Sequence, residues 1–140
     1  MNLKDLFPHL TDDNHQITSP KTIEYNCIAW AAGNSQRWWQ PGAFWPIEST
    51  RGDYGIGELV IAFKSLGYEE CNDGLLEDGF EKVALYSLGM MYTHAARQLP
   101  DGQWTSKLGQ LEDVTHTTPD AIAGSDYGEV AQYMKRALAT

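Results

Sequence analysis

The spacing of apolar residues between positions 55 and 66 predicts an amphipathic helix. Its apolar residues recur at helical intervals, and they are Leu59, Ile61, Ala62, Phe63 and Leu66. Gly67 follows directly and is a common helix stop. A second, shorter apolar stretch covers residues 24–33, and it predicts another helix that ends at Gly33.

Further along the chain, the pattern changes to one that is typical of strands. Residues 82–88, 92–99 and 103–109 predict three strands, and residues 68–71 predict a short additional one. Pro100-Asp101-Gly102 predicts a hairpin turn between the strands at residues 92–99 and 103–109. Residues 127–138 predict a closing helix, with these apolar residues on one side: Val130, Ala131, Met134, Ala137 and Leu138.

This order of elements predicts a single α+β domain over residues 1–140. Residues 1–22 form a leader, residues 23–109 the core, and residues 110–140 a polar connector and the closing helix. In such a layout an N-terminal helix packs on a later antiparallel sheet. We find no internal repeat and no linker that would divide the chain.

Composition and charge narrow the function classes. The chain has 10 basic and 19 acidic residues, a net charge of −9, and 42% hydrophobic residues. This acidity argues against nucleic acid as a partner, since nucleic-acid binders carry basic patches. No stretch approaches the roughly 18 apolar residues of a membrane span, and the first residues lack the apolar core of a signal peptide. We therefore expect a cytoplasmic protein, or one exported by a route that needs no signal peptide.

The candidate chemistry begins at Cys27. Asn26 is a favourable N-cap residue, which would put Cys27 at the first helical position. Free amide groups and the positive end of the helix dipole favour a thiolate there. Cys71 lies among acidic residues that would raise the pKa of its thiol, so we expect it to be structural. His94, near the start of a predicted strand, is the best-placed base for Cys27.

At these residues the sequence resembles the papain-like cysteine hydrolases of the NlpC/P60 and CHAP kind. Their pattern is a cysteine that opens a helix, a histidine at a strand start and a polar residue on the next strand. Tyr25-Asn26-Cys27-Ile28-Ala29-Trp30 matches the first part, Thr93-His94-Ala95-Ala96 the second, and the family count puts the third near Ser106. Ile28 and Ala29 replace the usual Ser-Gly, and a serine replaces the usual third His, Asn or Gln. The strings at residues 25–31, 94–99 and 104–109 also resemble those of an uncharacterised family of small bacterial proteins.

The resemblance implies a papain-like core and a Cys27–His94 dyad that cleaves an amide or acyl bond without a cofactor. The substrate would be a peptide, peptidoglycan or a protein amide, and the protein would suit a bacterial effector or toxin. Ser106 would orient the imidazole; Gln98, Asp113 and His116 remain alternatives. A strict two-residue turn at Asp101-Gly102 would place Thr105, not Ser106, on the face that His94 shares.

The oxyanion of such a reaction would be stabilised by the backbone N–H of Cys27 and a second donor. Candidates for that donor are the side chains of Asn26 and Tyr25, or a residue of the tryptophan-rich segment that contains Trp38 and Trp39. Arg97 and Lys107 are either solvated strand residues or ligands for an acidic substrate group, and we favour the first interpretation.

Two alternatives come from other classes. A non-catalytic binding module, such as an immunity or adaptor protein, would hold a protein partner with the aromatic segment 38–45. A zinc protein would use Cys27, His94 and His116, with Cys71 or Asp113. The chain lacks the closely spaced pairs that usually mark zinc sites, and we therefore predict no metal.

Overall fold

The computed structural model describes residues 7–11, 13–19, 27–32, 55–107, 113–124 and 127–138. Within these ranges the elements, in chain order, are strand β1 (His15–Ser19), helix α1 (Cys27–Ala31), helix α2 (Ile56–Ser65), strands β2 (Glu69–Cys71), β3 (Phe80–Leu88), β4 (Met91–Gln98), β5 (Trp104–Lys107) and β6 (Asp113–His116), a 3₁₀ helix (Pro119–Ile122) and strand β7 (Glu129–Ala137).

The described strands form one antiparallel sheet in the order β1-β6-β5-β4-β3-β7-β2. The domain is therefore mainly β, and the predicted α+β fold with a papain-like core is wrong. Helix α2, strands β3 to β5 and the short strand β2 do lie where the sequence pattern predicts them. The error lies in the elements at the two ends of the chain.

The C-terminal segment is the clearest correction, because the predicted closing helix is strand β7. This strand lies between β3 and β2 and pairs with both. Met134 is fully buried in it, and Gly128, just before it, has a positive φ of 71°. A Cβ at Gly128 would lie 2.0 Å from the carbonyl oxygen of Ser87, so only glycine allows this approach to β3. Pairing on both edges outweighs the helix propensity of the segment.

The leader and the connector also contain strands. β1 lies in the predicted leader and pairs with β6, which lies in the predicted polar connector. His15 faces His116 in this pairing, and Ile17 faces Val114. Both strands are short, and neither carries a long run of alternating residues. Their pairing joins segments nearly 100 positions apart in the sequence, which local pattern does not reveal.

The sheet buries side chains on both faces. The helix face is the side covered by α1 and α2, and its buried residues include Val83, Leu85, Ala95 and Met134. The far face is the opposite side, where Phe7, Leu10 and the 3₁₀ helix cover Ala84, Tyr86, Ala96 and Trp104. Successive residues of a strand point to opposite faces, so each strand contributes to both clusters.

The β4–β5 hairpin sets which residues share a face. Leu99 and Gln103 close the turn with a 2.6 Å hydrogen bond, and Gly102 has a φ of 91°. The loop therefore has three residues rather than two, and it pairs Gln98 with Trp104 and Arg97 with Thr105. This register places Ser106, rather than Thr105, on the face of β5 that corresponds to His94 on β4.

Candidate functional site

Helix α1 begins at Cys27, and the thiol lies in the core of the helix face. Its side chain is 8% exposed and belongs to the same cluster as Ala95. Burial raises the pKa of the Cys27 thiol to about 11, although hydrogen bonds with the backbone of Ala95 and Ile28 oppose this shift. The thiol is therefore protonated at neutral pH, because burial outweighs any gain from the helix start.

On the far face, three polar side chains form a continuous hydrogen-bonded chain. His94 Nε2 lies 3.0 Å from Ser106 Oγ, and the same oxygen lies 2.8 Å from His116 Nε2. His116 Nδ1 lies 2.7 Å from the carbonyl oxygen of Thr118. His94, Ser106 and His116 are all fully buried. The structure thus brings together His94 and two of the residues considered as its orienting partner.

The direction of this chain follows from its last member. A carbonyl oxygen can only accept, so His116 Nδ1 carries the hydrogen and its Nε2 is an acceptor in the neutral ring. Ser106 then donates to His116 and accepts from His94 Nε2–H. This assignment leaves His94 Nδ1 with a lone pair, and that buried atom has no hydrogen-bond partner among the residues that the structure describes.

Both imidazoles are held in the neutral form. Burial lowers the pKa of His116 to about 4, and the hydrogen bond to Thr118 offsets only part of this shift. Burial, and then the proximity of His116, lower the pKa of His94 well below 6.5. The His94 ring stacks on Tyr127 at 4.2 Å between centroids and meets the edge of Tyr86 at 5.2 Å.

Cys27 and His94 lie on opposite faces of the sheet. Cys27 packs with Ala95, the residue after His94, whereas His94 shares its face with Ala96 and with Tyr86. Strand alternation therefore directs the imidazole away from the thiol. The structure brings His94 together with Ser106 but does not bring either of them to Cys27.

The remaining predicted residues are distributed as follows. Asn26, Tyr25, Trp38 and Trp39, with the whole segment 38–45, lie outside the described residues. Gln98 donates from Nε2 to the carbonyl oxygen of Gly74 at 2.8 Å. For Cys71, burial rather than the neighbouring acidic charge is the main cause of its raised pKa.

Two charged residues are buried on the helix face. Lys107 and Asp113 occupy directly opposite positions on β5 and β6, and both are fully buried. The interpretation of Lys107 as a solvated strand residue is therefore wrong. In the sequence, a buried strand at this place is indicated by Val114 and Thr115, which lie between Asp113 and His116. Two residues are too few to distinguish a strand from a loop.

Residues 16–135 match the family described as Domain of unknown function (DUF7689). The chain belongs to the DUF7689 family. The matched range includes Cys27 and the His94–Ser106–His116 chain. Residues on both faces of the sheet therefore belong to the DUF7689 domain. Neither a comparison with curated proteins nor one with solved structures gives a match.

Two further findings limit the candidate sites of this DUF7689 domain. In the described part of the chain, no three His, Cys, Asp or Glu residues are grouped so that they could hold a metal ion. Nor does any helix in that part have the length and apolar character to cross a membrane.

Proposed function

We propose that this domain is a protein-binding module, and that it binds its partner through the turn between β3 and β4. We name this surface the hairpin tip, and it comprises residues 88–91. The exposed fractions of Leu88, Met90 and Met91 are 53%, 84% and 48%. This run of exposed apolar side chains is the observation that carries the proposal, because contiguous apolar surface marks interaction sites. Methionine is well suited to such contacts, since its flexible side chain adapts to irregular surfaces.

The hairpin tip is supported on both sides by regular structure. The amide of Ile56, at the start of α2, donates to the carbonyl oxygen of Met90 at 3.0 Å. Gly55 forms an isolated bridge with Met91, and Ser87 pairs with Glu129 of β7. The exposed side chains therefore project from a fixed backbone, which lowers the entropy lost on binding.

Charge suggests the chemistry of the partner. Glu129, which is exposed, lies beside the tip, and the chain carries a net charge of −9. Lys82, Lys135 and Arg136 lie towards the other end of β3 and β7, in ion pairs with Glu77, Asp73 and Glu81. The complementary partner is a protein with an apolar pocket bordered by Lys or Arg side chains.

The experiment begins with a photo-crosslinking amino acid at position 90, with position 61 as the matched control. Ile61 is an exposed apolar residue on α2, 42% accessible, and it lies outside the tip. The protein that crosslinks from position 90 but not from position 61 is then purified, and its affinity for the unmodified domain is measured. We expect Met90→Gln and Met91→Gln each to weaken this affinity about tenfold, and Ile61→Gln to leave it unchanged.

The proposal also predicts how the complex responds to salt. Higher ionic strength should weaken binding mainly through slower association, because the proposed charged groups, Glu129 and the partner's Lys or Arg side chains, lie beside the apolar contact. If Met90→Gln and Met91→Gln bind as tightly as the unmodified domain, the tip is not the contact surface and the proposal fails.

The hydrolase hypothesis stays a prediction. Its support is the start of α1 at Cys27 and the unpartnered lone pair of His94 Nδ1, an atom that could accept a proton. It would require the thiol and the imidazole to meet, and the two residues lie on different faces of the sheet. For this reason we favour binding over catalysis.

A further inference from the structure

A cavity of about 130 Å³ lies at the end of the sheet remote from the hairpin tip. It is formed where β3 begins and where β4 and β7 end. Four apolar residues form most of its wall, namely Phe80, Leu99, Pro100 and Leu138, and Glu81, Arg97 and Gln98 complete it. The cavity thus combines an apolar lining with three polar residues.

Among the described residues, Arg97 is set apart by its ionic contacts. It forms no ion pair with any residue that the structure describes, whereas four other cationic side chains lie within ion-pair distance of a carboxylate: Lys64, Lys82, Lys135 and Arg136. Glu81, the acidic residue of the cavity, is engaged by Arg136 at 2.6 Å. One positive charge therefore remains at the cavity.

One buried polar atom of a cavity-lining residue, Arg97 Nε, is a donor without a hydrogen-bond partner among the described residues. Gln98 Oε1 also lacks one, but Gln98 follows Arg97 on β4, so its side chain points to the far face of the sheet. Gln98 is 5% exposed, and its Nε2 is held by the carbonyl oxygen of Gly74. Arg97 is also positioned, because its guanidinium lies 5.8 Å from the centre of the Trp30 ring. Buried polar atoms are normally satisfied, so a group that accepts a hydrogen bond from Arg97 Nε is expected at this cavity.

We propose that the cavity binds a small organic carboxylate. A guanidinium matches a carboxylate with two parallel hydrogen bonds, and a single negative charge balances the unpaired charge of Arg97. The apolar wall suits a short aliphatic or aromatic group on the same ligand. The adjacent carboxylate of Glu81 disfavours a doubly charged phosphate through like-charge repulsion.

The test is an NMR titration of the full chain with benzoate, with benzamide as its neutral analogue and with inorganic phosphate. We expect benzoate to shift the Arg97 Nε–H signal, with a dissociation constant on the order of 1 mM. Arg97→Gln should weaken binding by about tenfold or more, because it removes the charge-assisted hydrogen bonds. Lys64→Gln is the matched control, since it removes one positive charge that is paired elsewhere with Glu70.

The comparison of ligands on the unmodified domain keeps the test valid if Arg97→Gln does not fold. Benzamide that binds as well as benzoate would overturn the proposal, as would phosphate that binds as well, or the absence of any shift with benzoate. Met90→Gln should leave benzoate binding unchanged, because the hairpin tip lies at the other end of β3 and β4. Failure of this cavity is therefore distinguishable from failure of the tip.

Discussion

The two faces of the sheet bury polar side chains by different means. On the helix face, oppositely charged Lys107 and Asp113 occupy facing positions on neighbouring strands, near the protonated thiol of Cys27. On the far face, His94, Ser106 and His116 carry no charge, and each hydrogen bond in their chain has one defined direction. The far face meets the cost of burial by neutral hydrogen bonding, whereas the helix face buries a basic and an acidic residue at facing positions of β5 and β6.

This difference shows why a thiol and an imidazole in one fold need not form a catalytic pair. An ion pair between them needs a site in which both charges are stabilised together. Here burial favours the neutral form of each, and strand alternation separates them. Three ways to test the contrast between the faces follow, from the largest expected effect to the smallest.

Acid should destabilise the domain through the far face. The pKa of His116 is about 4 when folded and about 6.5 when unfolded, so the unfolded chain takes up the proton first as the pH falls below 6.5. The stability that depends on the neutral ring is complete above 6.5 and is lost as the pH falls towards 4. We expect His116 alone to reduce the free energy of unfolding by about 3 kcal/mol between pH 7 and pH 4, and His94 to add to this loss.

Urea unfolding at pH 7, 5.5 and 4 measures this loss. Most of it should occur above about pH 4.5, before exposed carboxylates take up protons. His116→Gln should flatten the pH dependence, and His9→Gln, which removes an exposed histidine, is the matched control. A profile that is equally steep in His116→Gln would assign the acid sensitivity to other groups.

Removing the central hydroxyl should be the next largest effect. Ser106→Ala leaves His94 Nε2–H and His116 Nε2 buried without a partner, so we expect a loss of about 2–4 kcal/mol in the free energy of unfolding. Thr105→Val is the matched control on the helix face. It removes the hydroxyl that accepts from Trp30 Nε1 at 2.9 Å, a single part-buried bond worth about 1 kcal/mol. Equal losses in the two variants would mean that the histidine chain contributes no more than one ordinary hydrogen bond.

Local pattern was sufficient for the elements whose own residues carry a clear apolar spacing or a turn sequence. The apolar spacing of residues 55–66, the strand-like segments 82–88 and 92–99 and the Pro100-Asp101-Gly102 turn each predicted the element found there. β7 was missed because Val130, Met134 and Ala137 also fit a helical period. The segment is a strand because it pairs with β3 on one side and with β2 on the other.

The candidate site was harder to predict because it depends on which side of the sheet each residue faces. One additional residue in the β4–β5 loop moves Ser106 to the face of His94, as the hydrogen bond between them shows. His116 was placed in a connector, and no local feature links it to Ser106. The face on which α1 packs likewise depends on long-range contacts with Ala95 and Leu85, so the separation of Cys27 from His94 could not be inferred from their spacing.

The two thiols provide the last test, with the smallest expected effect. Cys27 is buried with a pKa of about 11, whereas Cys71 is partly exposed and donates from Sγ to the carbonyl oxygen of Asp73 at 3.5 Å. Since iodoacetamide reacts with an accessible thiolate, Cys71 should be labelled at least about tenfold faster than Cys27 in the folded domain at pH 7. The two rates should become equal in urea, and mass spectrometry of the labelled peptides measures both. Faster labelling of Cys27 at pH 6 would reveal a stabilised thiolate that burial on the helix face cannot provide. Such a result would favour the hydrolase hypothesis over the binding module. A stabilised thiolate would require a base in contact with the Cys27 thiol, in addition to the contacts described above.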